Sequence, residues 1–219
     1  MLYIFCSHKK KTGFLIKSIA VLFVVICFAV YSKQELQIDN WFFNLLETST
    51  NSQINFIFQT IYISGDIYVA GPVVAIALGW MIWRNYKQEA ISFAFATSGI
   101  LILIDRVLKP FFDRNRPPKP RLVGGLSRHS FPSGHAAGNL VLYFYLSFII
   151  AVKYPQLRVY VYAVATTIVI AIGFASLYTK AHWLTDILGG YLFGYLWLIV
   201  SLNLLKFNQR NSDKKKQLK

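Results

Sequence analysis

Six apolar runs, each close to the length of a membrane-spanning helix, dominate this chain of 219 residues. A helix needs roughly 20 predominantly apolar residues to cross the hydrocarbon core of a bilayer. With 55% hydrophobic and only 15% charged residues, the composition excludes an ordinary soluble domain. We therefore expect an all-α polytopic membrane protein whose six transmembrane helices form one bundle, at residues 14–31, 67–83, 90–108, 136–152, 159–178 and 183–205.

Two features of these runs leave alternatives open. The runs at 67–83 and 136–152 are short enough to be buried core helices instead of spans. Lysines precede the first run, as they do in a cleaved signal peptide, but its apolar stretch is longer than usual. It also ends in Ala29-Val30-Tyr31, without the small residue that a cleavage site needs. We expect the first run to be retained as an anchor.

The distribution of Lys and Arg orients the bundle. Six crossings place both termini on one side, and that side collects most of the 23 Lys and Arg residues. Short cytoplasmic loops carry an excess of Lys and Arg, so we expect cytoplasmic termini and a multi-pass protein of the cell membrane, the inner membrane if the source is Gram-negative. The tail at 206–219 and the N-terminus at 1–13 then serve topology, and we expect no nucleic-acid partner.

The connection at 32–66 carries apolar residues at helical spacing between polar ones. This pattern predicts amphipathic helices that lie along the outer interface between the first two spans. A short connector packed on the bundle is the alternative. The residues that carry the pattern are Ile38, Trp41, Phe42, Leu45 and Leu46, then Ile54, Ile57, Phe58 and Ile61.

Eight cations fall on the outer face, where targeting does not explain them. Most lie in the segment at 109–135, which is rich in Pro and Gly and is expected to be an irregular loop. Several positive donors around histidines suit a bound phosphate. The eight cations are Arg106, Lys109, Arg114, Arg116, Lys119, Arg121, Arg128 and Lys180.

Two histidines accompany these cations. His182 and Asp186 are four residues apart, so on a helix they share a face, and the carboxylate can hold the Nδ1 proton and leave Nε2 with a lone pair. His135 follows Ser133 and Gly134 at the expected start of the fourth span, where backbone N–H groups face an anion. The alternatives are a solvated histidine with an acid in the first helical turn, and a serine that only caps the helix. His129 has no comparable support and is read as a loop residue.

Three motifs in these segments resemble the signatures of the type 2 phosphatidic acid phosphatase superfamily. They are Lys109, six residues and then Arg116-Pro117; Pro132-Ser133-Gly134-His135; and His182, three residues and then Asp186. The resemblance spans 109–186, and the family's six-helix plan would account for the rest, so that 1–219 would be a single membrane-embedded phosphatase domain with 109–135 as its active-site loop.

The resemblance implies roles for these residues. His182 would attack phosphorus and form a phosphohistidine, Asp186 would hold its tautomer, and His135 would protonate the leaving group and then activate water. The phosphate oxygens would be held by a further set, without metal or cofactor. This set comprises Lys109, Arg116, Ser133, Gly134 and Lys180.

One position departs from the family pattern. The third motif has an arginine six residues before its histidine, and this chain has Ser176 there. Lys180 is one helical turn further on and could supply the charge, but an ammonium cannot reproduce a bidentate guanidinium clamp. Reduced activity, a different phosphate geometry and lost activity are the possible consequences.

The expected function is a lipid phosphate or lipid pyrophosphate phosphatase at the outer face, since a substrate tail can stay in the bilayer while its head enters the basic mouth. Candidate substrates are phosphatidate, phosphatidylglycerophosphate, undecaprenyl pyrophosphate and a lipid A phosphate. A lipid-to-lipid phosphotransferase, a Ser133 nucleophile, and a non-catalytic lipid or anion binder or transport component remain as alternatives. The sequence determines neither the substrate nor the oligomeric state.

Overall fold

A computed structural model describes residues 9–32, 36–47, 51–118 and 120–217. Within these ranges every regular element is a helix, and the expected all-α class is confirmed. Lys33, Lys119 and the two chain ends lie outside the described residues. The helices are α1 Lys9–Ser32, α2 Gln37–Glu47, α3 Ser52–Ser64, α4 Ile67–Trp83, α5 Lys87–Ile102, α6 Lys109–Phe112, α7 Gly134–Lys153, α8 Arg158–Tyr178 and α9 Leu184–Gln217.

Polar side chains begin several of these helices. Asn51 and Asp66 precede α3 and α4, and their side chains accept hydrogen bonds from the backbone N–H groups of Gln53 and Tyr68. Such caps satisfy donors that the helix itself leaves without a partner. The caps therefore fix where α3 and α4 start, and only Gly65 and Asp66 lie between the two helices.

Five stretches of helix are individually long and apolar enough to cross a membrane: Gly13–Ser32, Lys87–Phe112, Gly134–Lys153, Pro155–Tyr178 and Leu184–Gln209. The expected span at 67–83 corresponds to α4, which meets this standard only together with α3, and the two helices are bent by 40° at their junction. Six spans are thus reached only if this bent pair counts as one. The segments around α2 and α3 are helical as expected, while their position along an interface stays a prediction.

The core of the bundle lies where α7 packs against α5, α8 and α9. Phe93 and Ile100 of α5, Val141 and Tyr145 of α7 and Leu198 of α9 are buried there. By contrast α1 and the outer faces of α4 and α8 expose large apolar side chains. A surface of this kind is suited to lipid contact, because hydrocarbon surrounds it without the cost of exposing apolar area to water.

Glycines let the start of α7 approach α9 closely. A Cβ atom added at Gly190 would lie 2.7 Å from the carbonyl oxygen of Ser133, and one at Gly194 would lie 3.0 Å from Cα of Ala137. These distances leave no room for a larger side chain at Gly190. The pair of helices that carries His135 and Asp186 is therefore held together by backbone contact.

Candidate active site

The segment that carries the first motif is more helical than expected. Helix α5 continues through a π-helical turn, Leu103–Leu108, into α6, so Lys109 is helical and the irregular loop begins after Phe112. Pro110 lies in the first turn of α6, directly after the π-helical turn. Asp113 then ends the helix in the left-handed conformation, at φ 41°.

The side chain of Lys109 lies beside the start of α7. Its Nζ atom donates a hydrogen bond to Oδ1 of Asp105 at 2.6 Å, and a Cβ atom added at Gly134 would lie 3.9 Å from the same Nζ. The side chain is nearly buried. The structure thus brings the lysine of the first motif to the helix N-terminus of the second motif, where an anion would meet both.

Arg116 connects the loop to the third motif. Its Nε donates to the carbonyl oxygen of Ser127 at 2.6 Å, and its Nη1 donates to the carbonyl oxygen of Ala181 at 2.6 Å. The same Nη1 lies 3.3 Å from Nε2 of His182. Backbone carbonyls therefore hold this guanidinium in place beside the imidazole.

The contacts of His182 determine its tautomer. A guanidinium has only donors, so Nε2 must accept from Arg116, and the ring proton must then lie on Nδ1. Nδ1 lies 3.3 Å from Oδ2 of Asp186, which also accepts from the backbone N–H of Trp183. The resulting neutral imidazole has a lone pair on Nε2, as a nucleophile requires.

Burial and charge keep this imidazole neutral. Burial, and next the positive charge of Arg116, lower the pKa of His182 to about 3, while the hydrogen bond to Asp186 acts in the opposite direction. His135 contributes a smaller lowering effect, so the two imidazoles are within electrostatic reach of each other. His182 is therefore uncharged at neutral pH.

A hydrogen bond joins the second motif to the third. Ser133 caps α7, since its Oγ accepts from the N–H of Ala136 at 3.2 Å, and its own N–H donates to the carbonyl oxygen of Asp186 at 3.0 Å. The side chain of Ser133 is fully buried. A buried, cap-forming hydroxyl is poorly placed for the alternative role of nucleophile.

His135 lies in the first turn of α7. Its ring stacks on Tyr62, with centroids 4.3 Å apart, and its Nε2 lies 3.8 Å from Oδ2 of Asp66. Nε2 is buried and makes no hydrogen bond among the described residues. Asp66 was not predicted as part of the site from the sequence.

The prediction that Arg114 belongs to the phosphate-facing cations is wrong. Its side chain is 0% exposed and is paired at 2.6 Å with both Asp39 and Asp186. Its Nη1 also donates to Oγ1 of Thr185 at 2.8 Å. Because two carboxylates neutralise it inside the protein, Arg114 supports Asp186 and does not reach the opening of the site.

Asp39 is a second acid of this region that was not predicted from the sequence. In α2 this acid is placed three and seven residues before Phe42 and Leu46, on the face that packs towards Ile187 of α9. A carboxylate on an apolar helix face was the available signal, since a buried charge requires a partner. Asp39 accepts from both the N–H and the hydroxyl of Thr185, which ties α2 to the start of α9.

The remaining cations differ in their surroundings. Nζ of Lys180 lies over the ring of Phe43, 4.7 Å from its centroid, and phosphate binding by Lys180 stays a prediction. Nε of Arg121 donates to the carbonyl oxygen of Pro117 at 2.8 Å, whereas the Arg128 side chain is 77% exposed. His129 pairs with Asp113 at 2.8 Å.

Ser176, at the position of the missing arginine, is fully buried. Its hydroxyl donates to the carbonyl oxygen of Ile172 within the same helix, at 2.8 Å. Its own carbonyl oxygen accepts from the N–H groups of Ala181 and His182. The residue therefore shapes the turn before His182 through its backbone and supplies no charge.

A cavity of about 430 Å³ lies elsewhere, between α5, α7, α8 and the later part of α9. Its lining includes Glu89, Phe148, Lys153, Arg158 and Leu205, and none of the predicted site residues. We place the site at the histidines and not at this cavity, because the charged and hydrogen-bonding groups of all three motifs converge there. Among the described residues, no group of three or more His, Cys, Asp or Glu side chains is placed to hold a metal ion.

The fold and the site define a class: a multi-pass, all-helical membrane protein with a histidine–aspartate pair beside a buried arginine, at the meeting point of three short motifs. Residues 89–210, more than half of the chain, match the sequence model of the PAP2 superfamily. The chain belongs to this superfamily, and the resemblance seen in the motifs is confirmed.

Individual relatives agree with this assignment. The chain is 28% identical over 139 residues to phosphatidylglycerophosphatase B of Bacillus subtilis, an alignment that covers 62% of this chain and 66% of the relative. A crystal structure titled as the first transmembrane PAP2 type phosphatidylglycerolphosphate phosphatase from Bacillus subtilis superposes with a TM-score of 0.79 at 22% identity, covering 89% of this chain and 96% of that one. Aquifex aeolicus LpxE gives a TM-score of 0.61 at 22% identity, with coverages of 78% and 98%.

Proposed function

We propose that this protein is a membrane phosphatase that removes a terminal phosphate from a lipid phosphate or lipid pyrophosphate through a phosphohistidine. The observation that carries the proposal is the environment of His182. Asp186 lies beside Nδ1 and keeps the ring proton there, so the lone pair is on Nε2, which lies beside Arg116. The curated relative in Bacillus subtilis is a phosphatidylglycerophosphatase. Membership of the superfamily supports the same chemistry here.

In the first step the Nε2 lone pair of His182 forms a bond to phosphorus. The bond from phosphorus to the leaving oxygen breaks, and that oxygen takes a proton from His135. Arg116 then exchanges its contact with Nε2 for a phosphate oxygen, joined by Lys109 and the N-terminus of α7. These donors stabilise the charge on the transferring group, which is the principal task in phosphoryl transfer.

In the second step water attacks the phosphohistidine. His135, now neutral, accepts a proton from the water as its oxygen bonds to phosphorus, and the electron pair of the breaking N–P bond returns to Nε2. Phosphate leaves and both histidines regain their starting states. We assign Asp186 to holding the tautomer of His182, and Ser133, Gly134 and Lys180 to phosphate binding.

The proposed substrates are phosphatidate, phosphatidylglycerophosphate, undecaprenyl pyrophosphate and a lipid A phosphate, each with a phosphate on a membrane-anchored tail. We place the site on the extracytoplasmic face and both termini in the cytoplasm. The asymmetry of Lys and Arg along the sequence supports this orientation. The exposed apolar surface of the bundle supports a substrate that arrives from the bilayer.

The test is phosphate release by the purified protein in detergent against each of the four lipids. We expect His182→Asn and His135→Ala to lose roughly a hundredfold or more of the wild-type rate. The matched control is His129→Gln, which removes a third histidine of the same region that pairs only with a loop aspartate among the described residues. A His182→Asn protein with the wild-type rate would overturn the proposal.

A further inference from the structure

Burial opposes the charged imidazolium form of His135, and the charges around the ring include both signs. Two cations, Lys109 and Arg116, and two carboxylates, Asp66 and Asp105, act on its imidazole. Asp105 is paired with Lys109 at 2.6 Å, so these two largely cancel. Asp66 is then the carboxylate that favours the imidazolium of the first step against both burial and Arg116.

Asp66 is oriented by its role as a helix cap. Its Oδ1 accepts from the backbone N–H of Tyr68 at 3.2 Å, while its Oδ2 lies 3.8 Å from Nε2 of His135. In the described part of the chain no Lys or Arg pairs with this carboxylate. One oxygen therefore anchors the residue to α4 and the other is directed at the imidazole.

The turn that carries Asp66 is fixed to the helix that carries His135. Nδ2 of Asn139 donates to the carbonyl oxygen of Gly65 at 2.8 Å and to that of His135 at 2.9 Å. A Cβ atom added at Gly65 would lie 2.6 Å from a side-chain atom of Ile172, so the turn packs closely on α8 as well. The separation between Asp66 and His135 is thus set by packed backbone and not by a mobile loop.

The imidazole is held from a second direction. The Tyr62 ring is nearly parallel to it, at an angle of 17°, and is itself buried. Stacking fixes the plane of the histidine, and Asp66 lies in reach of one of its nitrogens. In the proposed reaction the other nitrogen, Nδ1, exchanges the proton.

We propose that Asp66 is the positioning residue of His135, so that each of the two histidines has its own carboxylate, Asp186 for the nucleophile and Asp66 for the acid and base. The inference rests on the proposed function. The 3.8 Å separation is longer than a hydrogen bond, so Asp66 acts through its charge. The charge of Asp66 favours the imidazolium form of His135 at two points. The first is before the proton passes to the leaving oxygen, and the second is after His135 has taken a proton from water.

The proposed role of Asp66 also explains the bend between α3 and α4. A straight helix through Gly65 and Asp66 would bury the backbone of both residues in helical hydrogen bonds and would leave no cap. The break places a capping carboxylate at the depth of the histidines instead. The interruption of this span is then part of the site.

Leaving-group dependence tests the proposal. Phosphatidate needs a proton on its departing oxygen, whereas the nitrophenolate of p-nitrophenyl phosphate leaves without one. We expect Asp66→Asn to slow phosphate release from phosphatidate by roughly tenfold or more, because an opposite charge at about 4–6 Å favours the charged form of a titrating group by that factor. The first-turnover release of p-nitrophenolate should fall far less.

The second step gives an independent signature. Because His135 also accepts the proton of water, Asp66→Asn should slow breakdown of the phosphohistidine, and p-nitrophenolate should appear in a burst before the steady state. Asn and Ser are both good helix caps, so Asp66→Asn and Asp66→Ser should retain the fold and share this behaviour. Asp66→Glu keeps the charge and should recover part of the rate.

Asp113→Asn is the matched control, since Asp113 pairs with His129 in the loop and should leave both substrates unaffected. Equal losses on the two substrates would show a structural role for Asp66, and wild-type rates on both would show none; either result overturns the inference while the proposed function stands. A wild-type protein that is inactive on p-nitrophenyl phosphate and on all four candidate lipids would overturn the two together.

Discussion

The backbone N–H of Ser133 donates a hydrogen bond to the carbonyl oxygen of Asp186, 3.0 Å away. This bond joins two motifs that are more than fifty residues apart in the sequence, and it places the first turn of α7 against the first turn of α9. Because His135 follows Ser133 by two residues and His182 precedes Asp186 by four, the bond also helps to set the position of the two imidazoles relative to each other.

The contact between α7 and α9 should not tolerate a side chain at Gly190. We expect Gly190→Ala to lower the free energy of unfolding by about 1–3 kcal/mol, because the new methyl group would meet the carbonyl oxygen of Ser133. The thermal midpoint in one detergent is the measurement. Gly79→Ala in α4 is the control, since open space surrounds that position and alanine favours a helix; equal midpoints for the two variants would contradict the packing.

Arg114 should matter for stability and not for phosphate affinity. Replacing it with Met leaves Asp39 and Asp186 buried without their partner, which costs roughly 3–5 kcal/mol when a buried ion pair is broken. Arg128→Gln removes an exposed cation and should change the thermal midpoint little. An Arg114→Met protein as stable as Arg128→Gln would show that the buried ion pairs do not contribute to stability.

The protonation of His182 should depend on Arg116. Its pKa of about 3 lies below the ordinary value of 6.5, so between these pH values the unfolded chain binds a proton that the folded protein does not. Stability contributed by this residue therefore falls as pH decreases through that window. In ¹⁵N-histidine NMR spectra, assigned with His182→Asn, the His182 ring should stay neutral at pH 5.

Arg116→Gln extends this measurement. Removing the guanidinium removes the second-largest cause of the lowered pKa, so His182 should titrate at a higher pH in this variant than in the wild type. Arg128→Gln, which alters a distant exposed cation, should leave the titration where it is. A His182 resonance that titrates identically in Arg116→Gln and the wild type would mean that burial alone sets its protonation.

The orientation in the membrane can be read by cysteine labelling. On a Cys6→Ser, Cys27→Ser background, Arg128→Cys should react with a membrane-impermeant maleimide in intact cells, since its side chain is exposed in the loop of the site. Lys87→Cys, exposed at the start of α5, should react only after permeabilisation. The reverse pattern would place the site in the cytoplasm.

Local sequence was enough for the helices and the three motifs. Apolar runs predicted the helical class, because hydrocarbon leaves the backbone no other partner than its own carbonyls. The spacing of His182 and Asp186 predicted their contact, although the expected shared helix face is not its cause, because His182 lies in the turn before α9 and Asp186 in the first turn of that helix. The run at 67–83 predicts a full span by itself, but α4 is long enough to cross a membrane only together with α3, and no residue within the run indicates this.

The roles of individual charges were decided by tertiary structure. Arg114 and Arg116 are two residues apart and look equivalent in the sequence, yet Arg114 is enclosed between Asp39 and Asp186 while Arg116 lies against His182. Asp66 lies 3.8 Å from His135 although about seventy residues separate them along the chain. The sequence by itself determined which segments are helical and which chemical groups are present; which carboxylate meets which cation depended on the packing of distant helices, because electrostatic partners are set by distance in space and not along the chain.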